Sequence, residues 1–249
     1  MSYGMRIGLA GLWAWLLLPM PGAQAREYLV NQGPATLERG EFEVELYHDM
    51  NFTEADNDDT YNSKHQVELE YGVTDFFQLA YYEVYTWDRS TDWERDGLKI
   101  EAKLRLAKPG RWPIDVALYT EYQNPDGRRS VNSDEIENKL ILGKTFGPWT
   151  VVGNAVFEKK VNTRSDWEFE YTAGASYALT PALQVGVEVK ETLGDSDEFG
   201  WHRADHQLFL IPGISAALTP HLRILVGPAF GLTRASDDLQ LKSIVEVEF

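Results

Sequence analysis

The chain has 249 residues, with 23 Lys and Arg against 39 Asp and Glu, a formal charge of −16, and no cysteine. That acidity excludes a nucleic-acid partner, whose phosphates demand clustered Lys and Arg. The missing thiols exclude both a disulfide framework and a thiolate metal site.

Residues 1–25 read as a cleavable export signal. Arg6 is followed by an apolar run over 7–20, broken by Pro21 and Gly22 and then by Ala23-Gln24-Ala25, a small-x-small cleavage pattern. The run is about 14 residues, short of the roughly 20 that a membrane-crossing helix requires. Cleavage after Ala25 would leave residues 26–249 as one domain, within the usual size of a single folding unit.

Beyond the leader, apolar and polar residues alternate, the period of a strand with two unlike faces. In residues 40–46, Phe42, Val44 and Leu46 alternate with Glu43 and Glu45. In 64–73, Val67, Leu69, Tyr71 and Val73 alternate with Gln66, Glu68 and Glu70. After a fainter run at 76–86, residues 98–106 set Leu98, Ile100, Ala102, Leu104 and Leu106 against Lys99, Glu101, Lys103 and Arg105. Runs at 114–123, 135–146, 149–159, 167–177, 183–189, 204–218, 222–233 and 239–249 bring the total to about twelve strands, most near the 10 residues a tilted strand needs to cross a bilayer. Alternation slips at 78–83 and 135–144, where a bulge is expected.

The connectors also alternate. Tight ones at 73–75, 108–113, 147–148, 180–181 and 219–220 are rich in Thr, Pro, Gly and Asp, whose local chemistry reverses a chain. Longer polar ones fall at 51–61, 87–96, 124–134, 161–166, 193–203 and 235–238. Short turns at one end and long loops at the other describe an antiparallel up-and-down transmembrane β-barrel of the bacterial outer membrane. Aromatics near strand ends (Tyr71, Phe76, Phe77, Tyr81, Tyr82, Tyr85, Trp87, Trp112, Trp149, Trp167, Tyr177 and Trp201) predict two interfacial girdles. The chain ends Ile244-Val245-Glu246-Val247-Glu248-Phe249. Val245, Val247 and terminal Phe249 resemble the signal by which such proteins are presented to the barrel assembly machinery. A soluble sandwich or lipocalin-like barrel would alternate as well, but would bury the apolar face and wet the charged one. The leader, the loop lengths and Phe249 favour the inverted arrangement, with outer-membrane lipid and lipopolysaccharide as the surroundings.

With apolar side chains toward lipid, the opposite parity lists the lumen. It comprises Glu43, Glu45, Glu68 and Glu70, then Lys99, Glu101, Lys103 and Arg105, then Glu121, Glu137 and Lys139. Glu168, Glu170, Glu188, Lys190 and Arg223 follow, and Lys242, Glu246 and Glu248 close the circuit. Acids dominate the first, second and last strands and bases the fourth, so a transverse field is expected, a device that orients polar solutes. The competing expectation is a lumen filled by paired charges, since twelve strands lie between barrels filled by side chains and those that leave a channel. Acidic loops around Glu54, Asp56, Asp58 and Asp59, and around Asp195, Asp197 and Glu198, lack the spacing of a calcium-binding hand. They read as solvated surface. No metal or other cofactor is expected.

For a rim hydrolase, His48 beside Asp49 and His206 beside Asp205 are candidate oriented bases, with His65 and His202 at the same end. Ser63 and Ser196 are the candidate nucleophiles, both in expected loops, and nothing adjacent in sequence activates either. The only acid pair that suggests a protease is Asp49 with Asp205. A non-enzyme is therefore expected.

Three phrases, Leu69-Glu70-Tyr71-Gly72-Val73-Thr74-Asp75-Phe76-Phe77-Gln78-Leu79, Glu101-Ala102-Lys103-Leu104-Arg105-Leu106 and Lys139-Leu140-Ile141-Leu142-Gly143-Lys144, carry a resemblance. They resemble outer-membrane barrels of the phenol meta-cleavage-pathway-associated type. The resemblance implies the barrel fold and a role in uptake of a small solute, and it assigns no catalytic residue. The function expected is a narrow channel or porin-like transporter for small polar or charged solutes. A structural or interaction barrel is the alternative, and a lipid-modifying enzyme a third reading.

Overall fold

A computed structural model describes residues 26–52, 63–88, 92–126, 133–161, 166–196 and 206–249. The expected export signal, Trp201, His202, Asp205 and the acidic loop centres lie outside the described residues, as does the side chain of Asp195.

Alternation becomes pleat in twelve strands: β1 (Phe42–Asn51), β2 (Ser63–Thr74), β3 (Phe77–Asp88), β4 (Asp92–Arg105), β5 (Asp115–Pro125), β6 (Glu135–Phe146), β7 (Trp149–Lys160), β8 (Glu168–Thr180), β9 (Leu183–Asp195), β10 (Gln207–Thr219), β11 (Leu222–Gly231) and β12 (Leu239–Glu248). Each strand pairs antiparallel with its sequence neighbours, and β1 pairs with β12, closing the sheet into an up-and-down barrel without an edge. β4 and β9 run further toward the long-loop end than the alternation alone indicates, so much of the expected loop at 87–96 is strand.

Parity fixes the two faces. Ile100 and Ile214 are each 50% exposed and Leu118 is 45% exposed, whereas Glu68 and Glu101 on the other face are fully buried. A belt of exposed Leu, Ile and Val over an ionic interior is the reverse of a water-soluble core, and it matches hydrocarbon outside the barrel. Aromatics border the belt at both ends. Phe42 meets Phe249 with ring centroids 6.0 Å apart, and Trp149 meets Tyr177 at 4.9 Å, both at the tight-turn end. Phe157 and Phe169, 5.6 Å apart, mark the long-loop end. Tyr82 departs from the expected girdle: it is 4% exposed and points inward.

The expected slips at 78–83 and 135–144 are not bulges. β2–β3 register runs unbroken from Gln78 to Glu83, and β5–β6 and β6–β7 are continuous through 135–143. Register shifts fall instead at Gly72/Thr74, Val84/Tyr85, Phe169/Glu170, Ala178/Thr180 and Ala217/Thr219. Alternation fails because Ala80, Tyr82, Val84 and Ile141 are apolar or aromatic residues on the inward face, all buried there.

Candidate functional site: the lumen and its inner strap

Of the sixteen residues before β1, 26–37 run inside the barrel, bonded in turn to walls on different sides of the ring, and Glu38, Arg39 and Gly40 are exposed. At the start, the Arg26 amide donates to Glu246 Oε2 (3.0 Å), while its guanidinium donates to Glu45 Oε2 (3.1 Å) and Tyr47 Oη (2.8 Å). Tyr28 Oη donates to the Thr150 carbonyl (2.7 Å), and burial pushes that phenol well above its ordinary pKa, keeping it a donor. Leu29 drops among Phe209, Ile211, Leu225, Ala229 and Ile244, a contact worth about 2 kcal/mol of apolar burial.

One β9 carboxylate grips the middle of this strap. Glu188 accepts from Leu29 N (2.6 Å), Val30 N (3.0 Å), Asn31 N (2.9 Å) and Asn31 Nδ2 (2.8 Å). On β7, Asn154 clasps Gln32 from both sides: its Oδ1 accepts from Gln32 N (2.8 Å) and its Nδ2 donates to Gln32 O (2.9 Å). Leu37 N donates to Gln78 Oε1 on β3 (2.9 Å), and Thr36 Oγ1 donates to the Asp75 carbonyl (2.9 Å). Backbone donors with no ladder partner thus find acceptors on the wall, as buried N–H groups must.

Inward glycines make room for the strap. A Cβ on Gly143 would stand 2.8 Å from Pro34 Cδ, one on Gly174 2.9 Å from Tyr28 Cε1, and one on Gly72 2.0 Å from the Glu38 carbonyl oxygen. Of the inward apolar residues that disturb the alternation, Ile141 serves the same end, whereas Ala80, Tyr82 and Val84 pack with Tyr47 of the wall. Ala117, Tyr119, Ile141 and Val152 form a small core with Tyr28.

The charges of the wall come together as follows. Glu43, Glu45, Glu68, Glu70, Glu101, Lys103, Arg105, Glu121, Glu188 and Glu246 are all buried inside the barrel. Lys99, Glu170, Arg223 and Lys242 are partly exposed there, as is Lys190. Glu168 shares their parity but is exposed at the long-loop end of β8. Carboxylates meet in two triplets, Glu43–Glu45–Glu246 and Glu68–Glu70–Glu101, each with its oxygens within 4.8 Å. Tyr47 donates to Glu68 Oε2 and Tyr82 to Glu101 Oε2, each at 2.6 Å, and Tyr119 donates to Glu121 Oε2 at 2.8 Å, a phenol girdle across the waist.

Most cations pair with acids on their own or an adjacent strand rather than forming a wall of one sign. Lys99 meets Glu121 at 3.0 Å, Lys139 meets Glu137 at 2.8 Å, Lys190 meets Glu170 at 2.9 Å and Lys242 meets Asp49 at 2.9 Å. This interleaving weakens the expected transverse field. Lys103 reaches the strap, 3.5 Å from Gln32 Oε1. Arg105 donates to the Asp75 carbonyl and lies over the Phe76 ring. Beneath the strap a cavity of about 600 Å³ extends to the tight-turn end, where Pro109, Pro181, Pro220 and His221 line it.

Solved barrels share this architecture. The COG4313 outer membrane channel from Pseudomonas putida F1 superposes with a TM-score of 0.65 at 13% identity, covering 88% of this chain and 100% of that one. The KdgM porin in complex with disordered oligogalacturonate gives 0.57 at 12% identity, over 83% of this chain and 98% of that one. The NanC porin gives 0.55 at 8%, over 83% and 98%. No family model and no curated protein matches the sequence. At such identities the likeness is one of fold.

The rim candidates divide. His48 and Asp49 point to opposite faces, Asp49 inward to Lys242, so the expected His–Asp pair is not made. His206 Nε2 lies 2.7 Å from Glu191 Oε1 instead. Ser196 Oγ donates to Asp166 at 3.4 Å. Ser63 is not a loop residue: it opens β2, and its Oγ lies 3.0 Å from His65 Nε2.

Proposed function

We propose that the protein is an outer-membrane channel with a narrow polar path, constricted by the strap, for small polar solutes with a preference for cations. The observation that carries this reading is the construction of the lumen. Two triplets of buried carboxylates face a lumen crossed by the strap, beside a cavity of about 600 Å³. Rings of carboxylate select cations in narrow pores. The fold shared with solved channels and porins supports the reading, as does the uptake role that the meta-cleavage-pathway resemblance implies.

In this reading residues 1–25 are the export signal, and the assembly machinery reads Val245, Val247 and Phe249, all on the outward face of the last strand. The belt meets phospholipid, and the long-loop rim meets lipopolysaccharide. The ion-pair ladders favour a second reading, a sealed structural barrel. Reversal potentials in planar bilayers under a KCl gradient separate the two. Cation-selective current is expected, and a folded protein that passes no current refutes the channel.

A further inference from the structure

The outward face near the long-loop end carries a polar chain that neither lumen nor lipid belt explains. Antiparallel register sets His48 of β1 opposite His65 of β2, and Ser63 precedes His65 by two residues, on the same face. Ser63 Oγ lies 3.0 Å from His65 Nε2, and His65 Nδ1 lies 2.8 Å from His48 Nδ1. The His65 ring is held between the His48 ring, at 4.3 Å, and the Trp93 ring, at 4.7 Å. With His65 Nε2 accepting the serine proton, Nδ1 bears hydrogen and donates to His48 Nδ1, a tautomer assigned from the network. A hydroxyl on one imidazole nitrogen, with the other nitrogen oriented by a third group, is the arrangement that activates serine for acyl transfer, recognised by geometry rather than by sequence order.

The surroundings indicate the acyl donor. Ser63 is buried between cross-strand neighbours Met50 and Trp87, and Trp93, paired with Trp87, is 60% exposed beside them. Those apolar walls fit a fatty-acyl chain, and the row stands at the aromatic boundary of the belt, where the esters of a lipid leaflet lie.

We propose that Ser63, His65 and His48 form a serine hydrolase site on the outer wall, acting on fatty-acyl esters of outer-leaflet lipid. Ser63 Oγ attacks the ester carbonyl and its proton passes to His65 Nε2. The bond from carbonyl carbon to the lipid's alcohol oxygen breaks, and the alcohol leaves with that proton. Water, deprotonated by His65, then cleaves the acyl-serine, releasing the fatty acid and returning the proton to Ser63. His48 is a positioning residue.

The test treats folded protein in detergent with a fluorophosphonate probe, and separately with mixed micelles of phosphatidylethanolamine or of lipid A. An adduct on the peptide containing Ser63 is expected, together with fatty acid release. Release from phosphatidylethanolamine alone assigns a glycerophospholipid ester, and release from lipid A alone assigns that saccharide's acyl esters. Ser63→Ala loses adduct and release but keeps the wild-type conductance, because its side chain faces away from the lumen. His65→Gln lowers release roughly a hundredfold or more, and His48→Phe lowers kcat while leaving KM unchanged. No adduct on protein whose heat-modifiable migration shows it folded overturns the site. An adduct without fatty acid from either lipid overturns the lipid assignment.

Discussion

Glu188→Ala removes the grip on the strap without touching its sequence. The carboxylate accepts three backbone N–H groups and one side-chain amide, at 2.6 to 3.0 Å. An unsatisfied buried donor costs about 1–3 kcal/mol, and water filling the gap recovers part of that, so roughly 4 kcal/mol of latch stability is at stake. At about 1.4 kcal/mol per decade, the released population rises close to a thousandfold. The chain has no cysteine, so Leu29→Cys provides a single thiol at a position 7% exposed when the strap is seated. Its rate of labelling by a small maleimide reports local opening. Glu188→Ala should accelerate labelling by two to three decades (~100–1000-fold), while Glu170→Ala, which removes the partner of Lys190, should not. Equal rates in all three backgrounds would refute the latch. Equal acceleration by both alanines would refute its specificity.

Other consequences follow from the same geometry. Replacing Glu43 and Glu246 together by Gln removes two members of one carboxylate triplet, so the reversal potential under a salt gradient should move toward zero. Replacing Lys99, Lys103 and Arg105 by Gln should move it the other way. Gly143→Val places a branched side chain where Pro34 now lies, an overpacking cost of about 1–3 kcal/mol. Single-channel records should show longer open events, with heat-modifiable migration of the barrel preserved. Phe249→Ala removes the ring that meets Phe42 and should lower the yield of folded barrel in outer-membrane fractions.

The barrel was legible because lipid and lumen impose opposite chemistry on a period of two. The β6 bounds, Glu135–Phe146, coincide with those read from alternation, and the tight turns between strands announce themselves through Thr, Pro and Gly. The strap was not legible. Residues 26–41 have no period, since their backbone donors bond to wall side chains rather than to a ladder. Its trace in the sequence lay elsewhere, in inward positions too apolar or too small for a polar lumen: Ile141, Gly143, Gly174 and Ile211. Read strand by strand, Ala80 and Ile141 mimic slips of register. Seen together with Gly143, Gly174 and Ile211, Ile141 outlines a docked segment. Ser63, His48 and His65 were each legible as candidates, but their arrangement was not. Ser63 opens β2 and its partner His65 is two residues on, but His48 meets His65 rather than Asp49 through cross-strand register, which no local pattern encodes.

Single-channel conductance of the intact protein beside a variant lacking residues 27–37 tests the channel reading most directly. The lumen described here predicts small, cation-selective steps from the intact barrel and a several-fold larger conductance once the strap is gone. Identical steps from both proteins, or silence from both when folded, would contradict it.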